Sequence, residues 1–286
     1  MSGRRDDERS DAGEYLRVRC EPENLSLSVR DLGEGRRTCI LLHGFGEGSY
    51  VWDAFISDIA SAARLIAIDF RGHGDSSWDP QARYTVLRHV MDVLQVIETL
   101  RLDRCVLVGH SLGGAVALRV AARRPQVLES VMVIDYGPRL NPAGAERVRL
   151  DFRDSLRNWG SVDEYARWLQ ERRPFADAAI LSRMAQRSLC LDPRGGWRLK
   201  ADPALCSDAV WTGFESAEAW EMLKLISVPV TVVRGMGSAV LSANVLGQMM
   251  RVLPDGRAVT VANAGHAVMS DNPREFTQVL RSFLSV

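Results

Sequence analysis

The residues best placed to do chemistry lie in Gly109-His110-Ser111-Leu112-Gly113, preceded by the apolar run Cys105 to Val108 and followed by a helical pattern from Gly114 to Arg124. This is G-x-S-x-G between a buried-type strand and a helix, the setting in which the motif has mechanical meaning. The flanking glycines let the chain turn sharply enough to lift the Ser111 hydroxyl above a sheet. The following helix aims its N-terminus at the same place, where unpaired N–H groups and the helix dipole favour developing negative charge. The motif therefore points to a nucleophilic serine, which is weak at neutral pH and needs a base within hydrogen-bond reach. Only five histidines are available. His43 and His110 adjoin turn glycines, His73 falls in a loop, and His89 falls within a helix. His266 follows the last strand pattern, in Ala264-Gly-His-Ala.

The elements that must position these groups alternate along the chain. Tyr15 to Cys20 and Leu25 to Val29 alternate apolar and polar residues, as half-buried antiparallel strands do. Thr38 to Leu42 and Arg64 to Asp69 read as strands buried on both faces. Tyr50 to Ala63 and the segment opened by Thr85 read as helices by their apolar spacing. Val131 to Ile134 is a further strand, ending in Asp135-Tyr136-Gly137. This alternation predicts a mostly parallel sheet with helices on both faces.

From Pro138 to about Ser227 the pattern turns helical and rich in Arg, Glu and Trp, with Ser161 and Glu164 in capping-box spacing. Pro229 to Val233 resumes the sheet. Ser242 to Leu253 is a helix, Ala258 to Val261 a last strand, and Pro273 to Leu284 a closing helix. The expected organisation is a flexible tail over 1–13, an α/β core over 14–137 and 228–286, and a helical insertion over 138–227.

Composition narrows the function. Hydrophobic residues at 46% and charged residues at 25% allow a large core. With 36 basic residues balancing 36 acidic ones, no basic stripe suggests a nucleic acid or a membrane surface as partner. The five scattered cysteines never fall in C-x-x-C spacing, which argues against a metal site. No apolar run approaches the length of a membrane span, and the first residues contain no apolar stretch. A cytoplasmic protein is the expectation, and its oligomeric state is left open.

Four segments in order, His43-Gly-Phe-Gly, Asp69-Phe-Arg-Gly-His-Gly-Asp-Ser, Gly109-His-Ser-Leu-Gly-Gly and Gly265-His266 followed by Asp271-Asn-Pro, give the chain its resemblance to the α/β-hydrolase superfamily from about residue 25 onward. The resemblance implies the α/β-hydrolase fold, an eight-stranded, mostly parallel sheet with a helical cap between strands six and seven. It also implies catalysis without any cofactor. His266 matches the family's general base. Backbone N–H groups of Leu112 and Phe45 match its oxyanion donors. Ser111 stands where dehalogenases and epoxide hydrolases of the superfamily carry Asp, which argues against those two chemistries.

The acid departs from the family's usual place. It commonly follows the seventh strand, where Ser238 or Ala239 stands here, and no Asp or Glu occurs between Lys224 and Pro254. A minority of the superfamily places it after strand six, which selects Asp135; a Ser–His dyad is the alternative. His43 is expected to hold its loop in shape, with a place facing substrate as the other reading. Tyr136, Trp159, Met184, Trp211 and Phe214 are candidates to line an apolar cleft. The expected reaction is hydrolysis of an ester, thioester or lactone carrying an apolar or aromatic acyl group. Elimination or acyl transfer on the same Ser–His pair, or ligand binding with slow turnover, are the alternatives.

Overall fold

The computed structural model describes residues 14–61, 63–211 and 217–284. Eight strands form one sheet: β1 (Glu14–Cys20), β2 (Leu25–Leu32), β3 (Arg37–Leu42), β4 (Ala63–Ile68), β5 (Cys105–His110), β6 (Leu128–Ile134), β9 (Val230–Gly235) and β10 (Gly256–Val261). Their spatial order is β1-β2-β4-β3-β5-β6-β9-β10. β1 pairs antiparallel with β2, and β2 with β4; every later pair is parallel. Every residue of β5 is buried, which explains its unbroken apolar reading.

Helices join these strands as the alternation requires. α1 (Asp53–Ile59) packs on the last helix, α11 (Pro273–Leu284), through Phe55 and Phe276, whose rings lie 5.1 Å apart. A single turn, α10 (Val268–Asp271), leads into α11. α2 (Val86–Thr99), capped by the Thr85 hydroxyl, packs on α3 (Leu112–Arg123). α9 (Ala243–Val252) is capped by Ser242. The helix read from Tyr50 onward is shorter than expected. Residues Ser49–Trp52 form a 3-10 turn, and Ala63 already belongs to β4.

The Asp69–Ser76 loop is a structural brace. Asp69 accepts hydrogen bonds from the Ser49 and Asp75 N–H groups, and buried Arg71 forms an ion pair with buried Asp92.

Between β6 and β9 lie α4 (Pro142–Ser155), α5 (Val162–Arg172), α6 (Ala178–Ser188), α7 (Asp208–Trp211) and α8 (Ala217–Leu223). The expected capping box is there in modified form. Ser161 Oγ accepts from Glu164 N, while the Glu164 carboxylate accepts from Gly160 N rather than from Ser161. The segment is not purely helical, which corrects the sequence reading. Leu189–Leu191 (β7) and Trp197–Leu199 (β8) form an antiparallel hairpin around the Asp192–Gly196 turn. Strands of three residues are too short to leave a period in the sequence.

The insertion has its own aromatic centre. Trp159 meets Tyr165 at 4.9 Å and Trp168 at 5.4 Å between ring centroids. It is also tied to the sheet domain. Asp202 N donates to Gly72 O, the Tyr84 hydroxyl donates to the Asp202 carboxylate, and Asp177 N donates to Ser270 O. No described helix is long and apolar enough to cross a membrane.

Candidate active site

Ser111 sits between β5 and α3 with φ 50° and ψ −110°, a conformation L-residues rarely adopt. The turn is possible because both flanking glycines are in contact with backbone. A Cβ on Gly109 would collide with Gly113 O, and one on Gly113 would collide with Leu42 O. Gly113 N donates to His43 O at 3.1 Å, which draws the turn after β3 against the start of α3. Leu112 opens α3, so its N–H is among those a helix leaves without an intrahelical acceptor.

His266 Nε2 lies 3.0 Å from Ser111 Oγ, and His266 Nδ1 lies 2.8 Å from Asp135 Oδ2. The three side chains thus form a continuous hydrogen-bonded line, although 155 residues separate Ser111 from His266. Asp135 is fully buried at the end of β6, beside β5 in the sheet, and it too has a positive φ of 52°. Its Oδ1 accepts from Gly235 N at 3.1 Å. Its Oδ2 accepts from the hydroxyl of Ser238 as well as facing His266. Ser238, one of the two residues read at the family's usual acid position, thus holds the carboxylate that stands after β6. The Ser238 oxygen in turn accepts from Val240 N and Leu241 N.

His43 is buried behind the Gly44–Glu47 turn. Its Nε2 accepts from Phe70 N at 3.0 Å, so the proton resides on Nδ1, which donates to Gly44 O at 2.7 Å. Burial lowers its pKa to about 4, keeping it neutral. His43 braces the turn and does not line the cleft.

The cleft above Ser111 has a volume of about 310 Å³ and is bounded by the Gly44–Glu47 turn, α4, α5 and the His266 loop. Phe45, Phe152, Tyr165, Trp168 and Leu169 supply apolar wall. Of the residues expected there, Tyr136, Trp159 and Met184 do not line it. Tyr136 is buried against α3 near Gly114. Trp159 fills the insertion's interior, its indole N–H donating to Ser155 O. Met184 is buried within α6. All three are large apolar residues whose side chains go to core rather than to cleft, a choice that composition does not reveal. The Trp211 side chain and Phe214 lie outside the described residues.

Sequence reasoning missed Phe152, Glu47 and Arg173 at this cleft. The only hint was an acidic residue, Glu47, within an otherwise apolar and glycine-rich turn. Arg147 and Arg172 also face the cleft, both engaged with Asp151. Among the described residues, no group of three or more His, Cys, Asp or Glu side chains could hold a metal ion.

Residues 39–279 match the sequence profile of the alpha/beta hydrolase family, which is most of the chain. The protein belongs to that family. Relatives within the alpha/beta hydrolases are named hydrolases and esterases. The 2-(acetamidomethylene)succinate hydrolase of Mesorhizobium japonicum is 26% identical over 94% of this chain and 95% of its own. A crystal structure of E-2-(acetamidomethylene)succinate hydrolase superposes with a TM-score of 0.86, covering 96% of this chain and all of that one, at 26% identity. Esterase Rv0045c of Mycobacterium tuberculosis is 28% identical over 91% of this chain and 86% of its own.

Proposed function

We propose that this alpha/beta hydrolase is a cofactor-free serine hydrolase acting on an ester, thioester or lactone through an acyl-enzyme on Ser111. The observation that carries the reading is the unbroken line Ser111 Oγ, His266 Nε2, His266 Nδ1, Asp135 Oδ2, with separations of 3.0 and 2.8 Å. In the proposed reaction His266 Nε2 takes the Ser111 proton as the oxygen attacks the substrate carbonyl. Asp135, fixed by Gly235 N and Ser238, holds the Nδ1–H tautomer and stabilises the imidazolium. The backbone N–H groups of Phe45 and Leu112 receive the oxyanion. His266 then returns the proton to the departing oxygen or sulfur. Water, activated by the same imidazole, releases the acid and regenerates Ser111.

Oxygen and sulfur leaving groups need less protonation than an amide nitrogen, which favours the ester-like class. The insertion acts as a cap whose α4 and α5 shape the acyl pocket. Its apolar and aromatic wall suits an apolar or aromatic acyl group on a small molecule, rather than a nucleic acid or a membrane. The names of the relatives, a succinate-derivative hydrolase and an esterase, support the hydrolytic class.

The test is fluorophosphonate labelling read by mass spectrometry, with steady-state hydrolysis of a panel of activated esters. One label per chain, absent in Ser111→Ala, together with multiple turnover of an ester, is the expected result. An unlabelled wild type, or acyl-enzyme that forms and never turns over, overturns it.

A further inference from the structure

Within that reading, we infer that Glu47 is a positioning residue that locks the oxyanion turn, the residue before the nucleophile and the cap to one another. Glu47 is buried in the turn after β3. Its Oε2 accepts from Gly44 N at 3.2 Å and lies 3.4 Å, an ion-pair distance, from His110 Nδ1. Its Oε1 accepts from Arg173 Nη2 at 3.0 Å, and Arg173 belongs to the cap, immediately after α5. One carboxylate thus joins three segments that meet around Ser111. The approach depends on Gly44, where a Cβ would lie 2.7 Å from His110 Nδ1 and 2.8 Å from Glu47 Oε2.

His110 carries the link across to the base. Its Nε2 lies 3.0 Å from the backbone oxygen of His266. A carbonyl oxygen can only accept, so Nε2 bears a proton. The other ring nitrogen faces a carboxylate, which also only accepts. Both nitrogens thus face acceptors, an arrangement that favours the charged ring, with Nδ1 at ion-pair distance from Glu47 and making no hydrogen bond. Burial opposes that charge, but the Glu47 carboxylate outweighs it and raises the His110 pKa. Burial would likewise raise the Glu47 carboxyl, yet His110 and Arg173 hold it well below the usual carboxylate range.

The other titratable groups around His110 are His43 from the β3 turn, Asp135 from the end of β6, and His266 and Asp271 from the segment after β10. Asp271 is itself engaged, accepting from Gly265 N. Glu47 is the only one of these carboxylates at ion-pair distance from the His110 ring.

Glu47→Gln tests the inference because it keeps the shape and an acceptor for Gly44 N but removes the charge. Losing one oxyanion donor outright costs about 10²- to 10³-fold, so loosening the turn is expected to lower kcat about tenfold, with KM for a small activated ester nearly unchanged. Labelling by the fluorophosphonate should slow by a similar factor. In imidazole nitrogen NMR, wild-type His110 should be doubly protonated at pH 7, and Glu47→Gln should convert it to a neutral ring.

Glu47→Gln that labels and turns over at the wild-type rate overturns the positioning role while leaving the serine-hydrolase reading intact. A wild type that never labels removes that reading instead, and the NMR result still decides the His110 charge. If Glu47→Gln does not fold, the wild-type spectrum alone serves. A neutral His110 at pH 7 then refutes the lock, and a charged one supports it.

Discussion

Replacing Asp135 by Asn removes a charge and almost no volume, yet the geometry assigns it a large cost. Gly235 N donates to Oδ1, so the amide oxygen of the substituted side chain is drawn to that side. The amide NH₂ then points where Oδ2 now meets His266 Nδ1 and Ser238 Oγ. A donor there forces Nδ1 to accept and places the imidazole proton on Nε2, against Ser111. The base is then in the wrong tautomer, for which a loss of about 10⁴ in kcat is the expected size. At about 1.36 kcal/mol per factor of ten, this is roughly 5 kcal/mol of transition-state stabilisation. The structure also specifies a rescue. Ser238 lies within hydrogen-bond reach of the carboxylate oxygen that faces His266, so Ser238→Asp combined with Asp135→Asn returns a carboxylate to nearly the same place. A displacement of about 1 Å costs about 10²-fold, so the double variant should regain about 10² of the 10⁴ lost. The assay is burst and steady-state hydrolysis of a chromogenic ester, with circular dichroism to verify folding. Asp135→Asn retaining more than a tenth of wild-type kcat would refute the tautomer argument. A folded double variant no faster than Asp135→Asn would refute the placement of Ser238.

Three further predictions concern stability and the cleft. Burial lowers the pKa of His43 to about 4, of His73 to about 3, and of His89 well below its ordinary 6.5. Their unfolded forms bind protons first, so the stability they contribute is complete above pH 6.5 and is lost as pH falls toward the folded values. Each adds a slope of up to about 1.4 kcal/mol per pH unit. His110, shifted upward, acts in the opposite sense, as do the buried carboxyls Asp69, Asp92 and Asp271, which burial raises from a much lower ordinary value of 3.8. The urea midpoint should therefore fall between pH 7.5 and pH 5, and a flat profile would contradict the buried neutral histidines. Trp159→Phe should lower stability by about 1 kcal/mol through loss of the bond to Ser155 O, with KM unchanged. Phe152→Ala, which opens the cleft wall, should raise KM for aromatic esters about tenfold; the same shift in KM from both variants would contradict the placement of Trp159 away from the cleft.

Much of this architecture is legible in the sequence because its signals are local. Strand β5, its glycines and α3 are contiguous, so steric need and motif coincide within ten residues. Asp135 could be selected through the resemblance, whose minority pattern puts the acid after strand six, because the usual position lacks a carboxylate and Asp135 directly follows β6, with a Ser–His dyad as the alternative. The cleft wall was not legible. Trp159 and Phe152 are both large apolar residues of the same helical insertion, and only packing decides that one fills the interior while the other faces Phe45. The β7–β8 hairpin leaves too short a pattern to register. The links made by Glu47 and Arg173 span 126 residues, a separation at which periodicity carries no information.

The position of Asp135 also bears on how the molecule comes apart. Ser111 and Asp135 follow adjacent central strands, with Ser111 N bonded to Ile134 O and Asp135 N to Val233 O. His266 follows β10, the last strand at one edge of the sheet. Central pairings open only with near-global unfolding, whereas edges fray at much lower free energy. On the proposed assignment, the nucleophile and its acid thus share one cooperative unit, and the base rides on a less protected one. Warming should disengage the histidine first, leaving a chain that is still folded, still holds its serine and carboxylate in register, and has stopped working.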